Sequence, residues 1–176
     1  RGLLIQLATR WGSDSLDEYI AQVREALLDQ LDDPDASLEQ RVTAAQQFVA
    51  FDAEDPDAVS EILERITPQT SPDFAIALLQ SLGQCETDEL GPQLVGHLLQ
   101  LTPSTRPAAV TVLLMRPAST MALLKGISEG VIRLSELSPD QRQMLMDHPD
   151  ATVRMTGRAV LSRGGALPSA DRQQVI

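Results

Sequence analysis

The pentapeptide GISEG, residues 126–130, has the spacing of the G-x-S-x-G motif, in which the serine acts as a nucleophile. Ser128 would be that nucleophile, and acidic residues and His148 follow it in the chain order of an α/β-hydrolase. The motif works where a strand delivers the serine into a strained turn ahead of a helix. Here MALLKGI, with helical spacing, precedes Ser128, and Gly130 fits the end of a helix. The sequence therefore argues against catalysis, and a hydrolase is kept only as an alternative.

Residues that could bind a metal or cofactor are present but poorly spaced. His97 and His148 belong to no paired-histidine motif, so we expect His97 to pack within a helix and His148 to cap the carbonyls of the helix before it. The acidic runs 32–35 and 52–57 lack the spacing of an EF-hand loop and are typical of turns between helices. No cofactor and no metal are predicted, and electron transfer through haem bound by His and Met is a further alternative.

The stretch HPDATVRMTGRAVL, residues 148–161, combines an acid, a valine and an arginine at the start of a predicted helix. Asp150 stands where an N-cap belongs, since its carboxylate can accept hydrogen bonds from the first free N–H groups. Val153 and Gly157 fall on one face, where the small glycine lets another helix approach closely. Arg154 leaves this face and can reach a carboxylate or an exposed carbonyl. We therefore interpret these residues as structural.

Apolar residues recur at helical spacing between regular polar or proline-containing turns, and no segment alternates with the period of a strand. Start signals support the helices: Ser37 with Gln40 matches a capping box, and Ser71–Pro72 and Ser138–Pro139 place proline at the first helical position. In the second half, Met144 and Met155 are expected to fill gaps in the core, and a methionine-rich recognition groove is the alternative. The chain is predicted to be all-α.

Composition narrows the possible partners. Residues 14–65 hold 15 acidic residues and 3 arginines, whereas the rest of the chain holds 10 acidic and 11 basic residues. Because an acidic chain repels phosphate backbones, no nucleic acid partner is expected. The acidic half is interpreted as a solvated face, with a docking surface for a basic partner as the alternative. No apolar run is long enough for a membrane span, and the single cysteine, Cys85, cannot form an internal disulfide.

A weak internal repeat joins a polar turn, an arginine and small apolar residues. It occurs in SLEQRVTAAQQFV (37–49), TPSTRPAAVTVLL (102–114) and HPDATVRMTGRAVL (148–161), and SPDFAIALLQSL (71–82) fits the same pattern without the arginine. Anchored on Arg41, Phe74, Arg106 and Arg154, the intervals are 33, 32 and 48 residues, near the period of helix-pair repeats.

The D-x-x-V-R pattern of Asp150, Val153 and Arg154 resembles the second helix of a HEAT repeat, which implies that these residues, with Arg41 and Arg106, help to join neighbouring repeats. The predicted fold is an all-α, HEAT-like α-α superhelix, a short solenoid of antiparallel helix pairs.

A wider resemblance rests on the order of features along nearly the whole chain. These are RGLLIQLATRW, a long acidic helix, QRVTAAQQF, ITPQTSPDFAIALLQSL, LTPSTRPAAVTVLLMRP, LLKGISEGVIRLSEL, QRQMLMDHPDATVR and DRQQVI. The order is similar to that in the helical segment of large multidomain proteins of planctomycetes and relatives. There, a β-propeller resembling sugar dehydrogenases precedes the HEAT-like segment, and a c-type cytochrome domain with a C-x-x-C-H haem site follows it. The resemblance implies an exported protein, periplasmic or at the cell surface, with redox neighbours.

The resemblance assigns no catalytic residue to this segment, and Cys85 is followed by Glu-Thr-Asp rather than by a haem-attachment motif. We expect residues 1–176 to form a single HEAT-like domain cut from a longer chain, since the sequence begins with Arg and stops within DRQQVI, which is typical of a helix start. The predicted function is a non-catalytic scaffold that spaces or docks flanking domains or another protein. A stand-alone protein- or peptide-binding module is the alternative.

Overall fold

A computed structural model describes residues 14–162, with side chains from residue 18 onward. The segments RGLLIQLATRW and DRQQVI lie outside the described residues. Within residues 14–162 the chain forms nine α-helices and no strand. They are α1 (Asp14–Asp32), α2 (Leu38–Phe51), α3 (Pro56–Glu64), α4 (Pro72–Ser81), α5 (Leu90–His97), α6 (Arg106–Leu113), α7 (Pro117–Ser128), α8 (Pro139–Met146) and α9 (Ala151–Ser162). The all-α prediction is confirmed.

Local sequence signals decide where the helices begin. The capping boxes of Ser37 with Gln40 and of Ser138 with Gln141 are both formed, so each satisfies N–H groups that the first helical turn leaves free. Proline occupies the first turn of five helices, where its missing N–H costs nothing: α3, α4, α6, α7 and α8. Ser71 precedes α4 as predicted, but its side chain makes no capping hydrogen bond.

The helices pack in two alternating series. The even-numbered helices α2, α4 and α6 contact one another in that order, and the odd-numbered helices α3, α5, α7 and α9 do the same. Helix α1 packs on α2, and α8 packs on α9. Gln141 of α8 continues the even series, because its Nε2 donates to the Pro107 carbonyl of α6 at 3.1 Å. A helix therefore contacts its counterpart one pair further on, and the fold is repeat-like, as predicted.

The period of the repeat is clearest in the even series. Helices α2, α4, α6 and α8 begin at residues 38, 72, 106 and 139, at intervals of 34, 34 and 33. Arg41, Phe74 and Arg106 lie near these starts, whereas Arg154 lies on α9, in the odd series. The residue equivalent to Arg41 is Arg142 of α8. The irregular interval of 48 residues arose because the fourth anchor belongs to the other series.

Aliphatic side chains fill the core between the two series. Phe48 is the largest fully buried side chain, and most of the others are leucines, including Leu31, Leu78 and Leu94. Leu38 is 48% exposed because it is the first residue of α2. In and just after α5, Leu94, Leu98 and Leu101 are all buried.

Met144 and Met155 do not fill core gaps. Their exposed fractions are 47% and 72%, because they lie on the outward faces of α8 and α9. The prediction for these two residues is therefore wrong.

Candidate functional site: arginine contacts and an acidic groove

Three arginines at equivalent places in the even series donate to main-chain carbonyls. Each follows a hydroxyl residue by four positions: Ser37 and Arg41, Thr102 and Arg106, Ser138 and Arg142. In each case Nε donates to a leucine carbonyl that precedes the helix, at Leu31 (2.8 Å), Leu101 (3.2 Å) and Leu137 (3.1 Å). These arginine–carbonyl contacts satisfy groups that would otherwise lack a partner at the preceding helix end or turn. Sequence reasoning missed Arg142, although SPDQR and SLEQR are closely similar.

Asp150, Val153 and Arg154 are arranged as predicted. Asp150 caps α9, with Oδ1 accepting from the N–H groups of Thr152 and Val153, both at 2.9 Å. Val153 is fully buried, and a Cβ on Gly157 would lie 3.1 Å from the Leu145 carbonyl oxygen, which shows how closely α9 approaches α8. Arg154 donates to the carbonyls of His148 and Pro149. The contacts of Arg154 are therefore structural, and its partners are main-chain carbonyls rather than carboxylates.

The residues considered for catalysis are not brought together. Ser128 is the last residue of α7, and its hydroxyl donates to the Leu124 carbonyl at 2.9 Å. A helix therefore stands where a nucleophile elbow needs a strand. Gly130, with φ of 78°, ends this helix as predicted. His148 is buried, and its Nδ1 accepts from the N–H of Asp150 at 3.1 Å, so the prediction that it caps the preceding carbonyls is wrong.

His97 and Cys85 have structural surroundings. His97 Nε2 lies 3.2 Å from the Ile66 carbonyl oxygen and can donate to it, which joins the end of α5 to the end of α3. Cys85 is buried, and this burial raises the pKa of its thiol to about 11, although Arg116 acts in the opposite direction. The Cys85 carbonyl accepts from Arg116 at 2.6 Å. A thiol with so high a pKa is a poor nucleophile at neutral pH.

The predicted turns in the acidic half are present. Residues 33–37 join α1 to α2, and residues 52–55 join α2 to α3. Arg24 of α1 reaches the second turn, with Nε 3.0 Å from Asp52 Oδ2 and Nη1 3.0 Å from Asp55 Oδ2. Within residues 14–162 no group of three or more His, Cys, Asp or Glu side chains is placed to hold a metal ion. No helix in this range has the length and apolar character needed to cross a membrane.

The Asp52 carboxyl of this turn is partly buried. Its Oδ2 is buried and forms an ion pair with Arg24, but it accepts no hydrogen bond. Burial raises the pKa of the Asp52 carboxyl, Arg24 lowers it, and Asp55 raises it further. The opposite case is Arg65, whose hydrogen bond to Asp32 raises the pKa of its guanidinium against the effect of burial.

An open groove lies between the end of α6 and helix α8. We call it the α6–α8 groove, with a volume of about 440 Å³ and a largely apolar lining. It combines two exposed methionines with two carboxylates. Its principal lining residues are Met115, Asp140, Gln143, Met144, Asp147 and Pro149.

Comparison with known proteins adds no identification. No protein-family model matches the chain, and neither a curated protein nor a solved structure matches it. Any function for this chain is therefore argued from the geometry above and from the sequence resemblance.

Proposed function

We propose that this chain is a non-catalytic, HEAT-like scaffold domain that spaces or docks the flanking domains of a large exported, redox-associated protein. The observation that carries the proposal is a series of polar side-chain contacts between residues 30 to 37 positions apart. Each contact joins a helix or turn to its counterpart one helix pair further along. Contacts of this kind oppose bending between pairs, which is what a spacer requires.

Two of these contacts illustrate the principle. Arg65 at the end of α3 binds Asp32 at the end of α1 through two hydrogen bonds, at 2.9 and 2.7 Å. Ser60 of α3 donates to Gln93 of α5 at 3.0 Å, and the Gln93 amide donates in turn to the Pro56 carbonyl at 3.1 Å. A paired Arg–carboxylate contact fixes orientation as well as distance.

A distance measurement tests the spacer role. Nitroxide labels at Glu25→Cys on α1 and Ala159→Cys on α9 lie on exposed positions of the first and last described helices. Cys85 can stay in place, because its buried thiol, with a pKa of about 11, reacts poorly with the label. Pulsed electron–electron double resonance is expected to give a single narrow distance distribution. A broad or multimodal distribution would show that the stack bends and would overturn the spacer proposal.

The proposed exported, redox-associated setting is tested by the coding sequence on either side of this chain. Translation of the DNA on both sides is expected to show a signal peptide and propeller repeats upstream and a C-x-x-C-H motif downstream. A frame that lacks these features would contradict the exported, redox-associated setting. The α6–α8 groove then favours the second candidate function, a stand-alone protein- or peptide-binding module, over a spacer.

A further inference from the structure

Helix α8 has a well-defined outward stripe. Asp140, Gln143, Met144 and Asp147 occupy positions i, i+3, i+4 and i+7, which lie on one face of a helix. All four are exposed, whereas Gln141 and Leu145 on the inner side are buried. The stripe therefore has an apolar side chain, Met144, near its centre and a carboxylate at each end.

Helix α6 supplies the other wall. Met115, just after the end of α6, is 55% exposed and faces the same groove as Met144, which is 47% exposed. Leu114 and Pro149 complete the apolar lining. Two flexible thioether side chains, one from each wall, can adapt to the shape of an incoming apolar residue, as methionines do at adaptable binding surfaces.

Two carboxylates and the imidazole of the buried His148 are the ionisable groups that line the groove. Asp140 and Asp147 are seven residues apart, which corresponds to a rise of roughly 10 Å along the helix. Neither Lys nor Arg is among the residues of the described chain that line the groove. Asp147 accepts a hydrogen bond from the uncharged side chain of Gln143. The attraction for a cationic segment is therefore local to these two carboxylates, because the excess of acidic residues in the chain lies in residues 14–65, outside the groove.

We propose that the α6–α8 groove binds a basic amphipathic helix of a partner segment, with apolar side chains between Met115 and Met144 and a Lys or Arg at each end, against Asp140 and Asp147. This inference rests on the proposed docking function and names the chemistry of the docked partner. A helix fits because two cations on one helix face, seven residues apart, repeat the spacing of the two carboxylates.

A defined probe tests the proposal. The probe is a fluorescein-labelled helical peptide of about 18 residues, long enough for an alanine-rich sequence to be substantially helical. It carries two lysines seven positions apart and leucines three and four positions after the first lysine. Fluorescence anisotropy is expected to show binding to the full chain that weakens as NaCl rises from about 50 to 250 mM. A peptide with glutamate in place of both lysines is expected not to bind.

Matched variants locate the site. Met144→Lys places a cation at the centre of the groove and is expected to weaken binding at least about tenfold, as loss of a central contact does. Met155→Lys makes the same change of charge on α9, outside the groove, and is expected to leave the Kd within about twofold, since isolated surface charges contribute little. Asp140→Asn together with Asp147→Asn leaves the groove shape intact and is expected to reduce both affinity and salt dependence.

Several outcomes would overturn the proposal. Absence of binding to the wild-type chain would do so, as would equal effects of the two methionine variants or equal binding of the lysine and glutamate peptides. Sedimentation that shows self-association abolished by Met144→Lys, with no peptide binding, would assign the groove to a second copy of the chain instead. The distances between the nitroxide labels test the spacer role independently. A narrow distance distribution together with absence of peptide binding would overturn the groove proposal and leave the spacer proposal standing.

Discussion

At the scale of single residues, arginine side chains satisfy carbonyl groups near helix ends and turns. Helix ends leave carbonyls without an intrahelical partner, and a guanidinium can donate to more than one of them at once. Arg142 shows this most fully, because its Nε donates to the Leu137 carbonyl at 3.1 Å and an Nη donates to the Leu134 carbonyl at 2.8 Å.

Replacing this guanidinium should destabilise the fold. Arg142→Ala is expected to lower the free energy of unfolding by about 1–3 kcal/mol, since it removes charged donors from two part-buried carbonyls. Arg142→Lys should recover only part of the loss, because one ammonium lacks the forked geometry. Urea unfolding measures both. Lys125→Ala is the control, because the Lys125 side chain is 75% exposed and its ion pair with Glu129 is long, at 3.9 Å. An Arg142→Ala variant as stable as this control would contradict the structural role.

The Asp52 carboxyl gives a pH-dependent prediction. Its folded pKa is raised above the ordinary value of 3.8, chiefly by burial, so ionisation is less favourable in the folded chain than in the unfolded chain. Stability from this group is therefore fully present below pH 3.8 and is lost as the pH rises through the folded pKa. Asp52→Asn removes this titration. The stability of the variant relative to wild type should rise between pH 3.5 and neutral pH.

The urea midpoints of the wild type and of Asp52→Asn, measured at each pH, give this difference in stability. The pH-dependent contributions of the other carboxyl groups are common to both proteins and largely cancel. A relative stability that falls with rising pH would show that the Arg24 ion pair outweighs the effect of burial at Asp52.

Residue roles were predictable where they depend on local sequence. Asp150 as a cap and Arg154 as a donor to a carbonyl follow from their positions at the start of α9. The methionine predictions failed because helical spacing shows which residues share a face, but not whether a neighbouring helix covers that face. The same limit applies to His148, whose Nδ1 partner is set by the turn geometry rather than by the helix before it.

At the scale of helices, close packing depends on small residues at the contacts. A Cβ on Gly91 of α5 would lie 2.8 Å from both the Ser119 Cα and the Ala122 Cβ of α7. Glycine here is what lets α5 and α7 approach so closely. Gly96 of the same helix has no atom of a neighbouring residue within 4 Å of such a Cβ.

The two glycines should respond to alanine in opposite directions. Gly91→Ala is expected to destabilise the protein by about 1–3 kcal/mol, because helix backbones must move apart. Gly96→Ala adds a methyl group in open space and is expected to stabilise it by about 0.5–1 kcal/mol, the difference in helix propensity. Thermal and urea unfolding of the pair check this. Equal effects at both positions would show that the α5–α7 contact does not depend on the glycine.

Helix starts were well predicted and helix partners were not. Ser37, Ser138 and the prolines act within one turn of sequence, so their effect is visible in the sequence alone. The assignment of a helix to the even or odd series depends on contacts about 34 residues away, which the local sequence does not reveal. The repeat predicted from the sequence therefore takes Arg154 on α9 as its last arginine instead of Arg142 on α8.

At the scale of the whole molecule, contacts pass from each helix pair to the next. Among the described α-helices, those that touch through several residues are no more than two helices apart along the chain. In such a chain stability is approximately a sum of terms for individual repeats and their interfaces, so damage at one end need not spread to the other.

A core truncation near the start of the chain tests this. Phe48→Ala in α2 removes the largest fully buried side chain and is expected to cost about 3–5 kcal/mol locally. Hydrogen exchange read by mass spectrometry should show protection lost in α1–α4 and largely kept in α7–α9, because α2 packs mainly on α1, α3 and α4. The matched variant Leu124→Ala in α7 should give the reverse pattern, with protection lost around α5–α9 and kept in α1 and α2. If either variant reduced protection evenly along residues 14–162, the chain would unfold as one cooperative unit, and its repeat-like contacts would not make its helix pairs energetically independent.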